Sequence, residues 1–303
     1  ARTHLLNKTR IDQNLFKVID LTSVYYKALI ILKRIGLLGC GAIGTEIALA
    51  IDSEKIPAKI THVFDFSKDA SKKLVSKLKN KPEITENVGL LAAAPLDLIV
   101  EAASQDALRD NALTILQNKK DLMIMSVGAL LDESILDIIL DGCQDFKKSV
   151  YLPSGAILGL DGIRAAKDEL ELVTLVTTKN PKALKGAKFF ETSDIDINKI
   201  TKPTTLYDGI AKEAVRLFPA NINVAALLSL AGLGSEKTKV RIVADPNTNK
   251  NTHEILAQGK FGKFSIKVEN VPSESNPKTS RLAVLSAIEC LRAICKQDIR
   301  VGT

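Results

Sequence analysis

Three glycines near the start of the chain have the spacing of a phosphate-binding turn. Gly39, Gly41 and Gly44 follow a short apolar stretch, and helix-forming residues come after them. A second apolar stretch then ends in Asp65, roughly 20 residues further on, which is the distance expected for a ribose-binding acid. A strand, a G-x-G-x-x-G turn, a helix and a second strand ending in an acid form a dinucleotide-binding βαβ unit. The sequence therefore predicts that this segment binds a dinucleotide.

Each glycine has a separate task in such a turn. Gly39 permits the tight turn, Gly41 lets the backbone approach the pyrophosphate, and Gly44 lets the helix and strand pack closely. The pyrophosphate is expected at the N-terminus of the helix, near Ala42 and Ile43, because free N–H groups and the helix dipole favour an anion there.

Asp65 bears on the choice between NAD and NADP. Its carboxylate can bond a ribose 2′-hydroxyl and would repel a 2′-phosphate, which favours NAD. Ser67 and Lys68 follow closely, and the lysine could offset that repulsion, so NAD and NADP both stay open. The alternative for Asp65 is a solvated carboxylate at the end of a strand.

Histidine is the side chain best suited to proton transfer at neutral pH, and the chain has three. His4 lies in a segment that matches no motif, and His62 lies inside the second apolar stretch. His253 follows the polar loop 245–251. Since a nicotinamide enzyme usually needs an acid or base beside its substrate, His253 is the candidate catalytic residue. A purely structural role for His253 is the alternative.

Apolar strands alternate with amphipathic helices up to about residue 150, which predicts a parallel sheet covered on both faces. Ligands bind at the carboxyl edge of such sheets. Three loops rich in small residues fall at that edge: 39–44, 102–105 and 126–129. Ala102 and Ala129 are therefore expected to contact the cofactor, although small residues also serve tight turns. Glu101 could cap a loop or line the cofactor groove.

Beyond residue 150 the pattern changes to alternating strands, a hairpin and short helices, which predicts an α+β module with an antiparallel or mixed sheet. Asn221 and Asn223 begin a helix, where one asparagine can cap and the other can bond a ligand. Ser154, Asn221 and Lys278 are weak candidates for substrate contacts. The alternative for Lys278 is a surface lysine.

Composition narrows the classes of protein. At 303 residues the chain is expected to hold two domains. The net charge is +7, yet aromatic residues make up only 4% and no basic stripe with stacking rings is present, so a nucleic-acid partner is not expected. No apolar run reaches the ~18 residues of a membrane span, and no signal peptide is recognisable. Four cysteines without metal or disulfide spacing predict no metal site and a reducing, cytoplasmic location.

Motifs in both halves of the chain resemble those of the L-aspartate dehydrogenase family. They are Gly-Cys-Gly-Ala-Ile-Gly, Glu-Ala-Ala-Ser-Gln, Met-Ser-Val-Gly-Ala-Leu, Leu-Pro-Ser-Gly-Ala-Ile, Phe-Pro-Ala-Asn-Ile-Asn-Val-Ala-Ala, Ala-Asp-Pro, Asn-Thr-His-Glu-Ile and Asn-Pro-Lys-Thr-Ser. The resemblance runs from about Arg34 to the C-terminus and leaves the first 30 residues outside it.

The resemblance implies oxidation of L-aspartate with NAD or NADP to iminoaspartate. That product hydrolyses to oxaloacetate and ammonia or enters NAD biosynthesis, and the reverse amination is also implied. A homodimer formed through the second domain is expected. The family's catalytic histidine corresponds to His253, and its cofactor-contacting alanine and asparagine correspond to Ala156 and Asn223.

The expected fold class is α/β, with a Rossmann-type parallel sheet domain and a smaller α+β substrate and dimerisation domain. The predicted divisions are an extension of unclear role, the dinucleotide-binding domain, the α+β domain and a last helix packing back on the first domain: 1–30, 31–150, 151–275 and 276–303. Two rival functions remain at this point. One is a dehydrogenase of the homoserine dehydrogenase or dihydrodipicolinate reductase type, and the other is a non-catalytic NAD(P)-binding sensor.

Overall fold

The computed structural model describes residues 32–219, 222–273 and 279–296. Two sheets organise these residues, and the first is entirely parallel. Its strands are β1 (Lys33–Leu38), β2 (Ala58–Phe64), β3 (Glu83–Ile84), β4 (Leu98–Glu101), β5 (Asp121–Ile124) and β6 (Val150–Tyr151). They lie in the order β3-β2-β1-β4-β5-β6. The order reverses between β1 and β4, so a crevice opens at their carboxyl ends.

Helices cover both faces of this sheet, which explains why β4 is buried along its whole length. They are α1 (Ala42–Asp52), α2 (Lys68–Lys77), α3 (Val88–Ala93), α4 (Gln105–Gln117) and α5 (Glu133–Phe146), with a 3₁₀ turn at Val127–Leu131. The side chains of Ser67, Asn87, Ser104 and Asp132 cap α2 to α5 by accepting backbone N–H groups. Helix α1 differs, because Gly41 precedes it and no side chain caps it.

The second sheet is mixed and has the order β11-β10-β7-β9-β8. Its strands are β7 (Leu170–Lys179), β8 (Thr204–Ile210), β9 (Lys239–Ala244), β10 (Asn251–Gly259) and β11 (Gly262–Asn270). Only β7 and β9 run parallel to each other. The helices of this half are α6 (Leu160–Ala165), α7 (Pro181–Leu184), α8 (Phe189–Thr192), α9 (Ala211–Leu217) and α10 (Asn223–Ala231). Apolar residues of these helices share one core with the buried residues of the sheet.

The last helix, α11 (Arg281–Cys295), packs against the first sheet rather than the second. Ala287 and Leu291 are buried in the same core as Ile47 of α1. The Arg281 guanidinium forms an ion pair with Glu46, with Nη1 2.5 Å from Oε2. The second sheet is therefore inserted between two segments that belong to the first.

The fold class predicted from the sequence is confirmed, and most elements lie where they were expected. The segment 180–207 is a partial exception, because it was predicted as loops with short strands. It contains the start of β8, as expected, but also α7, α8 and a 3₁₀ turn at Ile197–Lys199. Asn180 caps α7, and the ring of Phe189 stacks on Phe218 with centroids 5.2 Å apart. Tertiary packing thus stabilises helices that are too short to form from local propensity.

Smaller differences concern the ends of elements. The helix expected from Gly209 begins at Ala211, because β8 continues its pairing with β9 as far as Ile210. The strand expected over 121–127 ends at Ile124, and the helix expected over 132–141 continues to Phe146. Residues 1–30, Asn221 and Lys278 lie outside the described residues. Among the residues that are described, no helix is long and apolar enough to cross a membrane.

Candidate active site

The glycine turn between β1 and α1 leaves an open surface at one residue. Gly39 has φ +101°, a conformation that favours glycine, and a Cβ there would lie 2.6 Å from the backbone of Ala102. A Cβ on Gly44 would lie 2.0 Å from the carbonyl oxygen of Gly39, whereas one on Gly41 would meet nothing within 4 Å. With no side-chain cap and no acid in its first turn, the N-terminus of α1 beside Gly41 is suited to an anion.

Asp65 is held in place by the backbone around it. Its Oδ2 accepts the Cys40 N–H at 2.7 Å, and its Oδ1 accepts the Ser67 N–H at 2.8 Å. Each oxygen keeps a further lone pair that can accept a ribose hydroxyl. Lys68, the first residue of α2, is exposed. The carboxylate is thus fixed against the glycine turn rather than free in solvent.

Cys40, which fills a variable position of the turn, has an inert thiol. Its Sγ lies 3.8 Å from the Phe64 carbonyl oxygen and 3.8 Å from Ser71 Oγ. Burial raises the pKa of the Cys40 thiol to about 11. The thiol is therefore protonated at neutral pH and packs as a small core residue.

Glu101 links two loops at the carboxyl edge of the first sheet. Its Oε1 accepts the Ala103 N–H and the Ser126 hydroxyl, both at 2.8 Å, and its Oε2 accepts the Ser126 N–H at 3.0 Å. The side chain is fully buried, and burial raises the pKa of the carboxyl. Of the two roles left open by the sequence, the structure supports the capping of loops.

Asn223, the first residue of α10, joins the second half of the molecule to the loop after β5. Its Nδ2 donates to the Met125 carbonyl oxygen at 3.1 Å, and its Oδ1 accepts the Gly128 N–H at 3.0 Å. Nearby, Gln105 Nε2 donates to the Pro219 carbonyl oxygen at 3.0 Å. Asn223 therefore does not cap its own helix, and one amide hydrogen and one lone pair remain for a ligand.

These elements enclose a cavity of about 110 Å³ between the two sheets. Its wall includes residues from the glycine turn, the β5 loop, the turn after β6, α10, β7 and β10: Ile43, Val127, Ala156, Asn223, Lys179 and His253. Four of these, Ile43, Ala156, Asn223 and His253, are predicted site residues from four separate segments of the chain. Folding brings them to one place.

His253 lies on β10 and is only 2% exposed. It pairs with Thr177 of β7, and its Nδ1 lies 3.0 Å from the Thr177 hydroxyl oxygen. Burial, with a smaller contribution from the charge of Lys179, lowers the pKa of His253 to about 3. The imidazole is therefore neutral at physiological pH. A proton on Nδ1 donated to Thr177 leaves the lone pair of Nε2 as the base.

Lys179 was not singled out from the sequence, although it lines the same cavity. It is the last residue of β7 and only 4% exposed, and burial lowers the pKa of its ammonium group to about 8. Leu175 and Thr177 precede it on the same face of the strand and are also buried. The sequence could have indicated Lys179, because it continues the alternation that places Leu175 and Thr177 on the buried face of the strand. It was missed because the predicted strand ended at Thr178.

Three predicted contacts do not line this cavity. Ala129 has no exposed surface and belongs to the core with Leu130 and Ala226, so we do not retain it as a cofactor contact. Ser154 lines a neighbouring groove against α11 instead of the cavity. Ala102 donates its N–H to the Leu38 carbonyl oxygen at 2.8 Å and lies beneath the glycine turn. The described residues contain no group of three or more side chains able to hold a metal ion.

Comparison with family models divides the chain into the same two parts. Residues 39–153 match the NAD-binding domain model described for homoserine dehydrogenase. Residues 161–294 match the model of the C-terminal domain of aspartate dehydrogenase. The first part therefore matches an NAD-binding domain, and the match of the second part indicates aspartate dehydrogenase.

Individual relatives match over nearly their whole length. The chain is 68% identical to an L-aspartate dehydrogenase of Nitrosopumilus maritimus, over 90% of this chain and 100% of the relative. It is 46% identical to one of Methanococcoides burtonii, over 89% and 99%. A crystal structure of aspartate dehydrogenase from Thermotoga maritima is similar at a TM-score of 0.69 and 28% identity, over 89% and 99%. The chain belongs to the L-aspartate dehydrogenase family.

Proposed function

We propose that the protein oxidises L-aspartate with NAD or NADP to iminoaspartate, which hydrolyses to oxaloacetate and ammonia, and that it also performs the reverse amination. One structural observation supports this proposal independently of the family relationship. A buried, neutral His253 and Ile43 of the glycine turn line the same cavity. A base is thus placed next to the element that holds a dinucleotide.

The residues of this chain suit a dinucleotide. Gly41 and the uncapped N-terminus of α1 would receive the pyrophosphate, Asp65 would accept a ribose hydroxyl, and Asn223 with Ala156 would border the nicotinamide. When bound, the cofactor would accept the hydride that leaves Cα of aspartate. The ammonium group of aspartate would lose a proton as the C–N double bond forms, and the imidazole of His253 would accept this proton and relay it to solvent.

His253 has a defined task in this scheme. It accepts a proton from the water that attacks the imine carbon, and a proton then returns to the departing nitrogen as ammonia leaves. Thr177 holds the imidazole ring from its other nitrogen. The low exposure of His253 keeps bulk water away from the reacting atoms.

Asp65 supports NAD over NADP as the preferred cofactor. Its carboxylate is fixed by two backbone N–H groups and cannot easily turn away from a 2′-phosphate. Lys68 would have to offset that charge from an exposed position, where solvent screens it.

We further propose a homodimer, with residues 151–275 as the catalytic and dimerisation domain and residues 31–150 together with α11 as the cofactor domain. The face of the second sheet that points away from its core carries half-buried Leu172, Val176 and Leu256. A second copy of the chain would cover them. A cytoplasmic location agrees with the free thiols of the four cysteines, Cys40, Cys143, Cys290 and Cys295. The iminoaspartate product agrees with a role in NAD biosynthesis.

An initial-rate assay tests the proposal. L-aspartate with each nucleotide, and oxaloacetate with ammonia in the reverse direction, should both support turnover. Activity with homoserine and none with aspartate would instead favour a homoserine dehydrogenase. Nucleotide binding without turnover of any amino acid would favour the non-catalytic sensor.

A further inference from the structure

Glu101 is a buried acid at the carboxyl edge of the first sheet that takes no part in the proposed reaction. Its side chain has no exposed surface, and burying a carboxyl group is unfavourable unless its oxygens are hydrogen-bonded. Three hydrogen bonds reach these oxygens, two of them from the backbone N–H groups of Ala103 and Ser126. An N–H group can only donate, so each of the two carboxyl oxygens has to act as an acceptor.

Two of the three hydrogen bonds hold the loop after β5, residues 125–129. Ser126 donates both its N–H group and its hydroxyl to Glu101, and the hydroxyl does not cap the 3₁₀ turn that follows. The loop after β4 has a second anchor, because Ala102 donates its N–H to the Leu38 carbonyl oxygen at 2.8 Å. Loss of the carboxylate would therefore loosen the loop after β5 more than the loop after β4.

The loop after β5 forms part of the cavity wall. Met125 and Val127, the two neighbours of Ser126 in the chain, both line the cavity. Asn223 contacts the same loop, since its Nδ2 donates to the Met125 carbonyl oxygen at 3.1 Å. Glu101 thus supports, from behind, the stretch of wall that Asn223 joins beside the expected nicotinamide.

We propose that Glu101 is a positioning residue that fixes the nicotinamide side of the cofactor site through Ser126. This role rests on the proposed NAD(P)-dependent function. A loop that is held in place before the ligand arrives has less conformational freedom to lose on binding, which strengthens binding. The adenosine side has its own support, because two backbone N–H groups fix Asp65. The contribution of Glu101 is therefore confined mainly to the nicotinamide half.

Glutamine cannot replace Glu101, although the two side chains have the same length. The amide of glutamine has one oxygen and one NH₂ group, and the NH₂ group only donates. In either orientation the NH₂ group faces a backbone N–H, that of Ala103 or that of Ser126, and leaves it without an acceptor. A buried donor without a partner is unfavourable, so the loop should shift to reach water or another acceptor.

The test compares Glu101→Gln with Asp52→Asn, which makes the same chemical change away from the cavity. Asp52 is also buried and also accepts two backbone N–H groups, from Lys79 at 2.8 Å and from Asn80 at 3.0 Å. It is the last residue of α1, at the opposite end of the helix from the glycine turn. The measurements are the dissociation constants of NADH and of ADP-ribose, which lacks the nicotinamide ring, and the thermal unfolding temperature.

Glu101→Gln is expected to raise the dissociation constant of NADH by about 10-fold or more, the effect of one buried unsatisfied donor. ADP-ribose should bind within about 3-fold of wild type, which also shows that the cofactor half is folded. Asp52→Asn should lower the unfolding temperature and leave both dissociation constants within about 2-fold of wild type. An equal loss of affinity for NADH and ADP-ribose, or an unchanged affinity for NADH, would overturn the proposal.

Ser126→Ala covers the case in which Glu101→Gln does not fold. It removes only the hydroxyl and leaves both backbone N–H groups bonded to the carboxyl oxygens. The dissociation constant of NADH should rise by about 2- to 10-fold and that of ADP-ribose should not change. An unchanged affinity for NADH in this variant would also overturn the proposal.

The same measurements separate the role of Glu101 from the proposed reaction. If the variants show the expected difference between NADH and ADP-ribose and the wild type does not turn over aspartate, the dehydrogenase proposal fails and the positioning role remains. A wild-type protein that binds neither ligand would overturn both.

Discussion

The hydroxyl oxygen of Thr177 lies 3.0 Å from Nδ1 of His253, across two adjacent antiparallel strands. A loop-borne histidine would have to be ordered by its ligand, but this one is fixed in orientation by the register of β7 against β10. The strand pairing thus presets the ring before any substrate binds. A rigid element is the better support for a residue that must transfer a proton.

Replacing His253 with alanine is expected to lower kcat for aspartate oxidation by about 10²–10⁴-fold, the usual contribution of general acid–base catalysis. Thr177→Val removes only the hydrogen bond to Nδ1 and should have a smaller effect. Stopped assays at saturating aspartate and NAD measure both. A loss of less than about 10-fold in His253→Ala would exclude the catalytic role.

Acid should destabilise the protein through His253. The pKa is about 3 in the folded state and about 6.5 in an unfolded chain, so between these values the unfolded state binds a proton that the folded state does not. Stability therefore falls as pH drops below about 6.5, by up to ~1.4 kcal/mol per pH unit from this group. Urea unfolding at several pH values, with His253→Gln as reference, measures the slope. An equal slope in both proteins would contradict the shifted pKa.

Replacing either of two glycines of the turn with alanine should affect different properties of the protein. Gly44→Ala should destabilise the fold by about 1–3 kcal/mol or more, because its Cβ would lie 2.0 Å from the Gly39 carbonyl oxygen. Gly41→Ala has room for its methyl group and should change stability by less than about 1 kcal/mol, while nucleotide affinity falls. Thermal unfolding and NADH fluorescence titration separate the two effects. Unchanged NADH affinity in Gly41→Ala would argue against the pyrophosphate lying there.

Asp65→Ser should move nucleotide preference towards NADP. Removing the carboxylate removes its repulsion of a 2′-phosphate, and the ratio of kcat/KM for NADP to that for NAD should rise about 10-fold or more. Lys68→Met is the companion variant and should weaken NADP use if the lysine contributes to it. An unchanged ratio in Asp65→Ser would show that nucleotide choice lies elsewhere.

Asn223→Ala should weaken nucleotide binding without unfolding the protein. It removes the bonds to Met125 and Gly128 that fix the loop after β5, and each such bond contributes about 0.5–1.5 kcal/mol. We expect a rise of about 3- to 30-fold in the KM for NAD. Asn111→Ala serves as a control, because Asn111 bonds only to a carbonyl within its own helix among the described contacts.

The site residues that belong to a local sequence motif could be predicted from the sequence. Gly39, Gly41, Gly44 and Asp65 belong to one βαβ unit, in which spacing along the chain determines position in space. His253 could be selected because few histidines were available. Each of these residues could therefore be recognised from the sequence without knowledge of its contacts in the fold.

Residues whose role depends on contacts between distant segments were harder to predict. Lys179 matters because β7 extends one residue beyond its predicted end and because β10 brings His253 beside it. Glu101 stayed ambiguous because its partner, Ser126, approaches only when β4 and β5 pair. Ala129 and Ala156 have similar sequence neighbours and are both buried, and only their positions in the fold distinguish them, since Ala156 lines the cavity and Ala129 does not.

The return of α11 to the first sheet has a consequence for how the protein is made. Leu291 completes the core around Ile47, so a growing chain on the ribosome cannot close the cofactor half until α11 has been synthesised. The strands of the second sheet, by contrast, have all emerged before α11. We therefore expect the inserted half to fold first, against the usual order in which the N-terminal part folds ahead of the rest.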